Sequence, residues 1–132
     1  MRLQYGMPAA FTERYVLVVE DDAPLRELYR SALRAAGYAV VAVEDGVDAL
    51  RRVERGCPEA VILDLGLPRL SGRDVQRELK SSPGTQHIPI VVVSGTDTSD
   101  LDPDDFACVL SKPISADALI LAVQNCLGYP GR

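Results

Sequence analysis

The chain has 132 residues, a length typical of one domain, and 47% of them are hydrophobic, enough to form a core without disulfides or a structural metal. Its formal net charge of −5 disfavours non-specific binding to nucleic acid or to an anionic membrane surface. Because no apolar stretch approaches the roughly 20 residues of a membrane span and no signal-peptide pattern follows the N-terminus, we expect a cytoplasmic protein without direct nucleic-acid partners or membrane insertion.

The chain begins with an irregular extension over residues 1–14. A continuously apolar run at about 15–19 then predicts a buried parallel strand. Pro24 suits the first turn of a helix, and apolar residues recur after it at helical spacing until Gly37. The predicted buried face of this helix consists of Leu25, Leu28, Tyr29, Ala32 and Leu33.

The middle of the chain repeats this alternation of strand and helix. Apolar runs predict a second strand at 39–43 and a third at about 60–63. Asp45 can cap the helix between them. A loop after the third strand leads into another helix near 71–81.

The last part of the chain contains one irregularity. Strands are predicted at 90–94 and about 108–111, and Ser115 can cap a final amphipathic helix. The segment 97–107 between these strands is too short for a mean helix of about 11–12 residues with its two connections. Asp102 followed by proline allows one helical turn there. We therefore expect a fourth crossover that is shortened to a loop or a stub.

This alternation predicts an α/β fold with a parallel sheet and helices on both of its faces. The sequence shows no internal repeat and no second domain. We therefore assign one domain to residues 15–127 and a C-terminal tail to residues 128–132.

The three cysteines, Cys57, Cys108 and Cys126, show no spacing typical of metal sites. Their number is odd and the chain lacks secretory features. We therefore expect reduced cysteines that are buried as small apolar residues.

Polar side chains follow four of the predicted strands at the point where each strand ends. Glu20 and its two aspartate neighbours follow the first strand, Asp64 the third, Ser94 closes the fourth, and Lys112 follows the fifth. In an open α/β fold the binding site forms at the carboxyl ends of the strands. Acids, a hydroxyl and one lysine at this edge predict a magnesium site at which phosphate is transferred.

The order and position of these motifs resemble the receiver domain of response regulators in two-component and phosphorelay systems. The likeness rests on Val18-Val19-Glu20-Asp21-Asp22, Leu63-Asp64-Leu65-Gly66-Leu67-Pro68, Val93-Ser94-Gly95 and Lys112-Pro113, and it covers about residues 15–127. Each motif alone is weak, but four in order at strand ends are specific. The resemblance implies a flavodoxin-like (βα)5 three-layer sandwich with a parallel five-stranded sheet of order 2-1-3-4-5. In this chain its fourth helix would be shortened or missing.

The resemblance also implies a metal site and its ligands. Asp21 and Asp64 would ligate Mg²⁺ (or Mn²⁺) directly, and the backbone carbonyl of Gly66 would be a third protein ligand. Glu20 would act through a bound water. Asp22 is better interpreted as a solvated loop acid.

Asp64 would take a phosphoryl group from a histidine kinase or a histidine phosphotransfer protein, and so switch the interaction with an unknown downstream protein. Lys112, on a cis peptide bond to Pro113, would hold one phosphate oxygen, and Ser94 another. The chain would not be an enzyme beyond this self-catalysed acceptance and a slow autodephosphorylation.

Alternative functions remain open at this point. A pseudo-receiver, an interaction module that is never phosphorylated, would not need the complete set of acids, hydroxyl and lysine. An aspartyl-phosphate hydrolase would need a second aspartate at the position of Gly66. A receiver without its own output module could be a single-domain regulator, a relay intermediate or a fragment of a hybrid kinase.

Two departures from the family concern signal output. Val109 occupies the position, three residues before the lysine, at which an aromatic residue usually reports the state of the hydroxyl residue. The short segment 97–107 falls where a signalling helix is usual. We therefore expect phosphorylation to change the 94–107 loop locally, or the faces of the first and last helices.

Overall fold

Residues 14–128, the part of the chain that the computed structural model describes, form five strands and four α-helices, which alternate up to the fourth strand. The strands are β1 (Val16–Val19), β2 (Val40–Val43), β3 (Ala60–Leu63), β4 (Ile90–Ser94) and β5 (Cys108–Ser111). The helices are α1 (Ala23–Ala35), α2 (Gly46–Arg55), α3 (Gly72–Lys80) and α4 (Ala116–Leu127). The predicted extension and tail lie outside the described residues, except for residues 14 and 128.

The strands form one parallel sheet of order β2-β1-β3-β4-β5. The three central strands are buried throughout, which explains their continuous apolar runs. The strand order reverses between β1 and β3, and such a switch point opens a crevice beyond the carboxyl ends of these strands. The predicted flavodoxin-like topology is confirmed.

Two separate cores lie on opposite faces of this sheet. Because side chains alternate along a strand, Leu17 and Val19 pack with α2 and α3, whereas Val16 and Val18 pack with α1 and α4. The predicted three-layer sandwich is thereby confirmed. No helix within residues 14–128 combines the length and apolar character that a bilayer span requires.

Local sequence signals account for the helix boundaries. The side chains of Asp22, Asp45, Ser71 and Ser115 each accept a hydrogen bond from a backbone N–H in the first turn of the following helix. Gly37 follows α1 with a φ of 103°, a left-handed conformation that favours glycine. The predicted caps at Asp45 and Ser115 are therefore confirmed.

Two predictions about burial are wrong. Leu28 is 45% exposed, because α1 packs against the sheet through the row of Leu25, Tyr29 and Leu33, four residues apart, and Leu28 lies beside this row. The cysteines are free, but Cys57 is exposed on the loop after α2, and Cys108 and Cys126 are only half-buried at the edge of a core.

The segment between β4 and β5 contains no α-helix. A single 3₁₀ turn, Pro103–Asp105, is capped by the side chain of Asp102, which accepts a hydrogen bond from the backbone N–H of Asp104 at 3.0 Å. Leu101 and Phe106 pack against the core on the α2–α3 side of the sheet. The predicted shortening of the fourth crossover is confirmed.

A close backbone approach at Gly72 holds the start of α3 against the end of β3. A Cβ atom at this glycine would overlap the carbonyl oxygen of Asp64 and lie 2.7 Å from the Cα of Leu65. The backbone N–H of Gly72 also donates to the carbonyl of Leu65 at 3.1 Å. Because position 72 has no side chain, the backbone at the start of α3 can lie against the loop that carries Asp64.

We expect Gly72→Ala to lower the free energy of unfolding. Overpacking against rigid backbone costs about 1–3 kcal/mol, which exceeds the about 0.4–1 kcal/mol that a compatible glycine-to-alanine change contributes. Chemical denaturation of both proteins measures the difference. Gly84→Ala is the matched control, because nothing lies within 4 Å of a Cβ at that glycine. An equal effect of both substitutions would contradict the close approach at Gly72.

Candidate functional site

Three carboxylates meet at the carboxyl edge of the sheet. Oxygen atoms of Glu20, Asp21 and Asp64 lie within 4.8 Å of one another. Glu20 is 1% exposed and Asp64 is 7% exposed, whereas Asp21 is exposed to solvent. The structure thus brings together the acids that the sequence placed on two strand ends.

Hydrogen bonds between strands continue past the strand ends and fix the backbone of this acidic cluster. The N–H of Glu20 donates to the carbonyl of Val43 at 3.1 Å, and the N–H of Asp64 donates to the carbonyl of Val19 at 3.1 Å. The sheet therefore fixes the backbone of Glu20 and Asp64, and N–H groups of the loops that follow, Asp22 and Gly66, orient the two carboxylates.

Lys112 provides the positive charge of the site. Its Nζ lies 2.8 Å from Oε1 of Glu20 and 3.6 Å from Oδ2 of Asp64. The N–H of Lys112 donates to the carbonyl of Ser94 at 2.8 Å, so this residue extends the pairing of β4 with β5. The peptide bond to Pro113 is cis, as the resemblance implies.

The electrostatics of the site leave an excess of negative charge. Burial raises the pKa of Glu20, although the ammonium of Lys112 and a hydrogen bond from the N–H of Asp22 oppose this shift. Burial also disfavours the charge of Lys112, but its close contact with Glu20 and the nearby charge of Asp64 raise its pKa overall. The cluster contains three carboxylates, and Lys112 forms ion pairs with two of them, Glu20 and Asp64.

The donor set fits a hard divalent cation. All the clustered ligand atoms are oxygens, and Mg²⁺ prefers oxygen ligands. A buried carboxylate that one lysine compensates only in part, as at Glu20, gains from a further positive charge. A second acidic group, Glu44, Asp45 and Asp48, differs in its contacts, because Arg69 forms ion pairs with two of its members, Asp45 and Asp48.

The Asp64 carboxylate is oriented by its own loop. The N–H of Gly66 donates to Oδ1 at 3.2 Å, and Oδ2 points to Lys112. Space lies open beside Gly66, because nothing lies within 4 Å of a Cβ built there. One carboxylate oxygen is thus held by backbone while the other faces the lysine.

Ser94 is buried beside the site and is held by a residue that the sequence did not indicate. Its Oγ lies 2.9 Å from Oγ1 of Thr96 and accepts a hydrogen bond from the N–H of Thr96 at 3.1 Å. A second hydroxyl residue two positions after Ser94 is a local signal for such a turn. The serine hydroxyl therefore has a defined partner on the loop.

Arg26 is a second residue that sequence reasoning missed. From the first turn and a half of α1, its guanidinium donates to the carbonyls of Glu20 and Asp21 at 3.0 and 3.4 Å. Asp22 is exposed and caps α1, which agrees with its interpretation as a loop acid rather than a member of the acidic cluster. Arg26 holds the loop that connects β1 with α1.

The comparison with known proteins agrees with this geometry. A family model described as the response regulator receiver domain matches residues 16–124. The chain belongs to the response regulator receiver family. The predicted relationship to two-component signalling is thereby confirmed.

Individual relatives show the same likeness. The response regulator MprA of Mycobacterium leprae is 35% identical in an alignment of 119 residues that covers 85% of this chain and 50% of the relative. The chain thus spans about half the length of the curated relatives it matches.

Solved structures extend the comparison to the fold. The receiver domain of NtrX from Brucella abortus is 29% identical, with a TM-score of 0.74 and coverage of 85% of this chain and 97% of that one. A sensor protein from Polaromonas sp. JS666 is 28% identical, with a TM-score of 0.79 and coverage of 86% and 94%. Receiver domains are therefore similar to this chain in sequence and in fold.

We expect Lys112→Met to destabilise the metal-free protein more at about pH 8 than at about pH 4. The pKa of Glu20 lies above its ordinary value of 4.5, so the ionised carboxylate costs stability once the pH rises through that pKa, and the cost is absent below the unfolded value. Without the lysine this cost grows. We expect a loss of about 2 kcal/mol at the higher pH, below the about 3–5 kcal/mol of a fully buried pair, because the Lys112 side chain keeps 20% exposure.

Denaturant unfolding in the presence of a chelator measures this pH dependence. The double variant Glu20→Gln/Lys112→Met is the matched control and should lose most of the pH dependence. A deficit of Lys112→Met that is equal at both pH values would contradict the buried ion pair.

Proposed function

We propose that this receiver domain accepts a phosphoryl group on Asp64 from a histidine kinase or a histidine phosphotransfer protein. The observation that carries this proposal is the position of the Asp64 carboxylate, which belongs to the acidic cluster with Glu20 and Asp21 and has its Oδ2 3.6 Å from the ammonium of Lys112. A nucleophilic carboxylate beside both a cation and an acidic metal-binding cluster fits phosphoryl transfer, which depends on positioning and charge neutralisation.

The acidic cluster would hold Mg²⁺, and Mn²⁺ could take its place. Asp21 and Asp64 would ligate the ion directly with the carbonyl of Gly66, and Glu20 would act through a water. Bound there, the ion would neutralise charge on the phosphoryl oxygens. With three carboxylates and Lys112, one divalent ion brings the site close to neutrality before a phosphoryl group arrives.

The transfer step needs no further co-reactant. An oxygen of Asp64 attacks phosphorus, and the new O–P bond forms as the P–N bond to the donor histidine breaks. The electron pair of the broken bond leaves with the imidazole nitrogen, which takes up a proton. Lys112 would hold one oxygen of the phosphoryl group, and Ser94 would hold another after its hydroxyl turns away from Thr96.

The output would differ from the usual aromatic switch. Val109 is half-buried against the core on the α2–α3 side and has no ring to reorient. The 3₁₀ turn offers little surface where a full helix would usually dock a partner. We therefore propose that phosphorylation acts on an unidentified downstream protein through the 94–107 loop or the faces of α1 and α4.

The proposed activity is self-catalysed acceptance and slow loss of phosphate, not turnover of a separate substrate. We propose a cytoplasmic location, because the phosphodonor would be a histidine kinase or a histidine phosphotransfer protein. If the protein were never phosphorylated, an interaction role of the pseudo-receiver type would remain.

We expect a small phosphodonor such as acetyl phosphate to add one phosphoryl group to the protein, and only when Mg²⁺ is present. Intact mass spectrometry detects the gain of one HPO₃ unit, and Asp64→Asn should abolish it. Acceptance by Asp64→Asn, or no acceptance by the unmodified protein at any Mg²⁺ concentration, would contradict the proposal.

We expect Asp21→Asn to weaken Mg²⁺ binding by at least about 10-fold, the loss that even an outer-shell partner of a metal site can cause. Asp22→Asn is the matched control, since asparagine keeps the helix cap and Asp22 lies outside the acidic cluster. Calorimetric titration of Mg²⁺ into each variant makes the comparison. Equal weakening in the two variants would show that the metal ligands are assigned to the wrong positions.

A further inference from the structure

Arg69 has a backbone conformation that arginine rarely adopts. Its φ is 63°, and it is the sole non-glycine residue with a positive φ among residues 14–128. It lies in the loop between β3 and α3, five residues after Asp64. Such a conformation persists where surrounding contacts hold it in place.

The contact that holds Arg69 is an ion pair with the start of α2. Its Nε and Nη2 donate to Oδ2 of Asp45 at 2.9 and 2.6 Å, and its Nη2 lies 3.4 Å from Oδ1 of Asp48. The Asp45 side chain is only 7% exposed. The Asp45 end of this pair is buried, whereas the Arg69 side chain is 50% exposed.

Asp45 uses its two carboxylate oxygens for two different tasks. Oδ1 accepts from the N–H of Asp48 and caps α2, while Oδ2 receives Arg69. The hydrogen bond from Asp48, together with that from Arg69, lowers the pKa of Asp45 despite its burial. The hydrogen bond within α2 thus holds the Asp45 side chain independently of its contact with Arg69.

Backbone contacts place the same two elements side by side. A Cβ at Gly46 would overlap the carbonyl oxygen of Leu70 and lie 2.9 Å from its Cβ. Leu65 and Leu67 of the loop are buried in the core that α2 shares. The loop from Asp64 to Leu70 therefore lies between two fixed points, the start of α3 and the start of α2.

The ion pair between Arg69 and Asp45 is connected to the acidic cluster through β2. Asp45 follows β2 by two residues, and the carbonyl of Val43 at the end of that strand accepts the N–H of Glu20. Arg69 thus connects the loop that carries Asp64 and Gly66 with the strand that supports Glu20. The ion pairs of Arg69 are with Asp45 and Asp48, which lie outside the cluster of Glu20, Asp21 and Asp64, so its influence on that cluster would be indirect.

We propose that Arg69 is a positioning residue: through its ion pair with Asp45 it holds the loop 64–70 so that Asp64 and the Gly66 carbonyl are in place for the divalent ion. This inference rests on the proposed function, since it concerns the metal-dependent acceptance of phosphate at the same site. The proposed role of the Arg69–Asp45 ion pair is to position the loop, in addition to any contribution to stability.

The direction of the effect separates positioning from simple charge. Arg69→Gln removes a positive charge near the acidic cluster, which by Coulomb's law alone would strengthen cation binding. Loss of positioning would weaken it. Arg69→Gly adds a second distinction, because glycine adopts the positive φ freely and relieves the backbone while removing the guanidinium.

The experiment measures the Mg²⁺ dissociation constant of the full chain and its phosphorylation by acetyl phosphate at limiting and at saturating Mg²⁺. We expect Arg69→Gln and Arg69→Gly each to raise the dissociation constant by about 10-fold, with phosphorylation slowed at limiting Mg²⁺ and restored at saturating Mg²⁺. Arg69→Lys should recover part of the affinity, since lysine keeps the charge but not the two-point contact.

Asp45→Asn tests the partner, because asparagine preserves the cap of α2 but loses the ion pair. It should match Arg69→Gln, and the double variant should lose no more than either single one. Arg77→Gln is the control, since it removes the exposed 2.8 Å pair of Arg77 with Asp74, both of which belong to α3 rather than to the loop; it should bind Mg²⁺ as the unmodified protein does.

Unchanged Mg²⁺ affinity in both Arg69→Gln and Arg69→Gly would overturn the inference. So would an effect of Arg69→Gln without one of Asp45→Asn, or a loss of phosphorylation that saturating Mg²⁺ does not restore. Failure of the unmodified protein to accept phosphate at any Mg²⁺ concentration would refute the proposed function instead, and the two failures are therefore distinguishable.

Discussion

The burial of Glu20 is the constraint on which the rest of the site depends. A carboxylate that is 1% exposed must find compensating charge and hydrogen bonds inside the protein. Lys112 supplies this charge from β5, which is separated from β1, the strand that precedes Glu20, by β3 and β4. The ion pair between Lys112 and Glu20 therefore spans the end of β3, where Asp64 lies. The Asp64 carboxylate thus lies beside an ion pair, Glu20 with Lys112, that the burial of Glu20 requires whether or not Asp64 reacts.

Much of this arrangement could be predicted because its signals are local. Continuous apolar runs mark strands that are buried on both faces, and the capping residues Asp45 and Ser115 mark where helices begin. The position of the acids follows as well, since parallel strands end at one edge of a sheet. Leu28 shows the limit of this reasoning: helical spacing identifies an apolar stripe, but only the packing partner determines how wide a stripe is covered. In α1 the core covers the row of Leu25, Tyr29 and Leu33, and Leu28 lies outside it.

The contacts that sequence reasoning missed join residues that are distant along the chain or depend on loop conformation. Arg69 and Asp45 are 24 positions apart, and neither stands in a motif that indicates the other. The hydrogen bonds between Ser94 and Thr96 are local, but they depend on the course of the chain after β4. Arg26 donates to backbone carbonyl groups that precede it in the chain. Every residue has such a carbonyl, so no residue type indicates this contact in the sequence. The acids of the site were thus visible from the sequence, whereas the groups that orient them required the fold.

The short connection between β4 and β5 has a practical consequence for protein engineering. Residues 97 and 99 are exposed, and at this tip the Asp97 side chain accepts a hydrogen bond from the N–H of Ser99. Asp100 pairs with Arg73 on α3 and so connects this loop to the body of the domain. Exposed loop tips of polar residues tolerate added sequence, and the entropy of closing a longer loop grows slowly with its length. A fluorescent or binding module spliced in after Asp97 would leave both cores intact, and it would stand three residues beyond the hydroxyl of the candidate site.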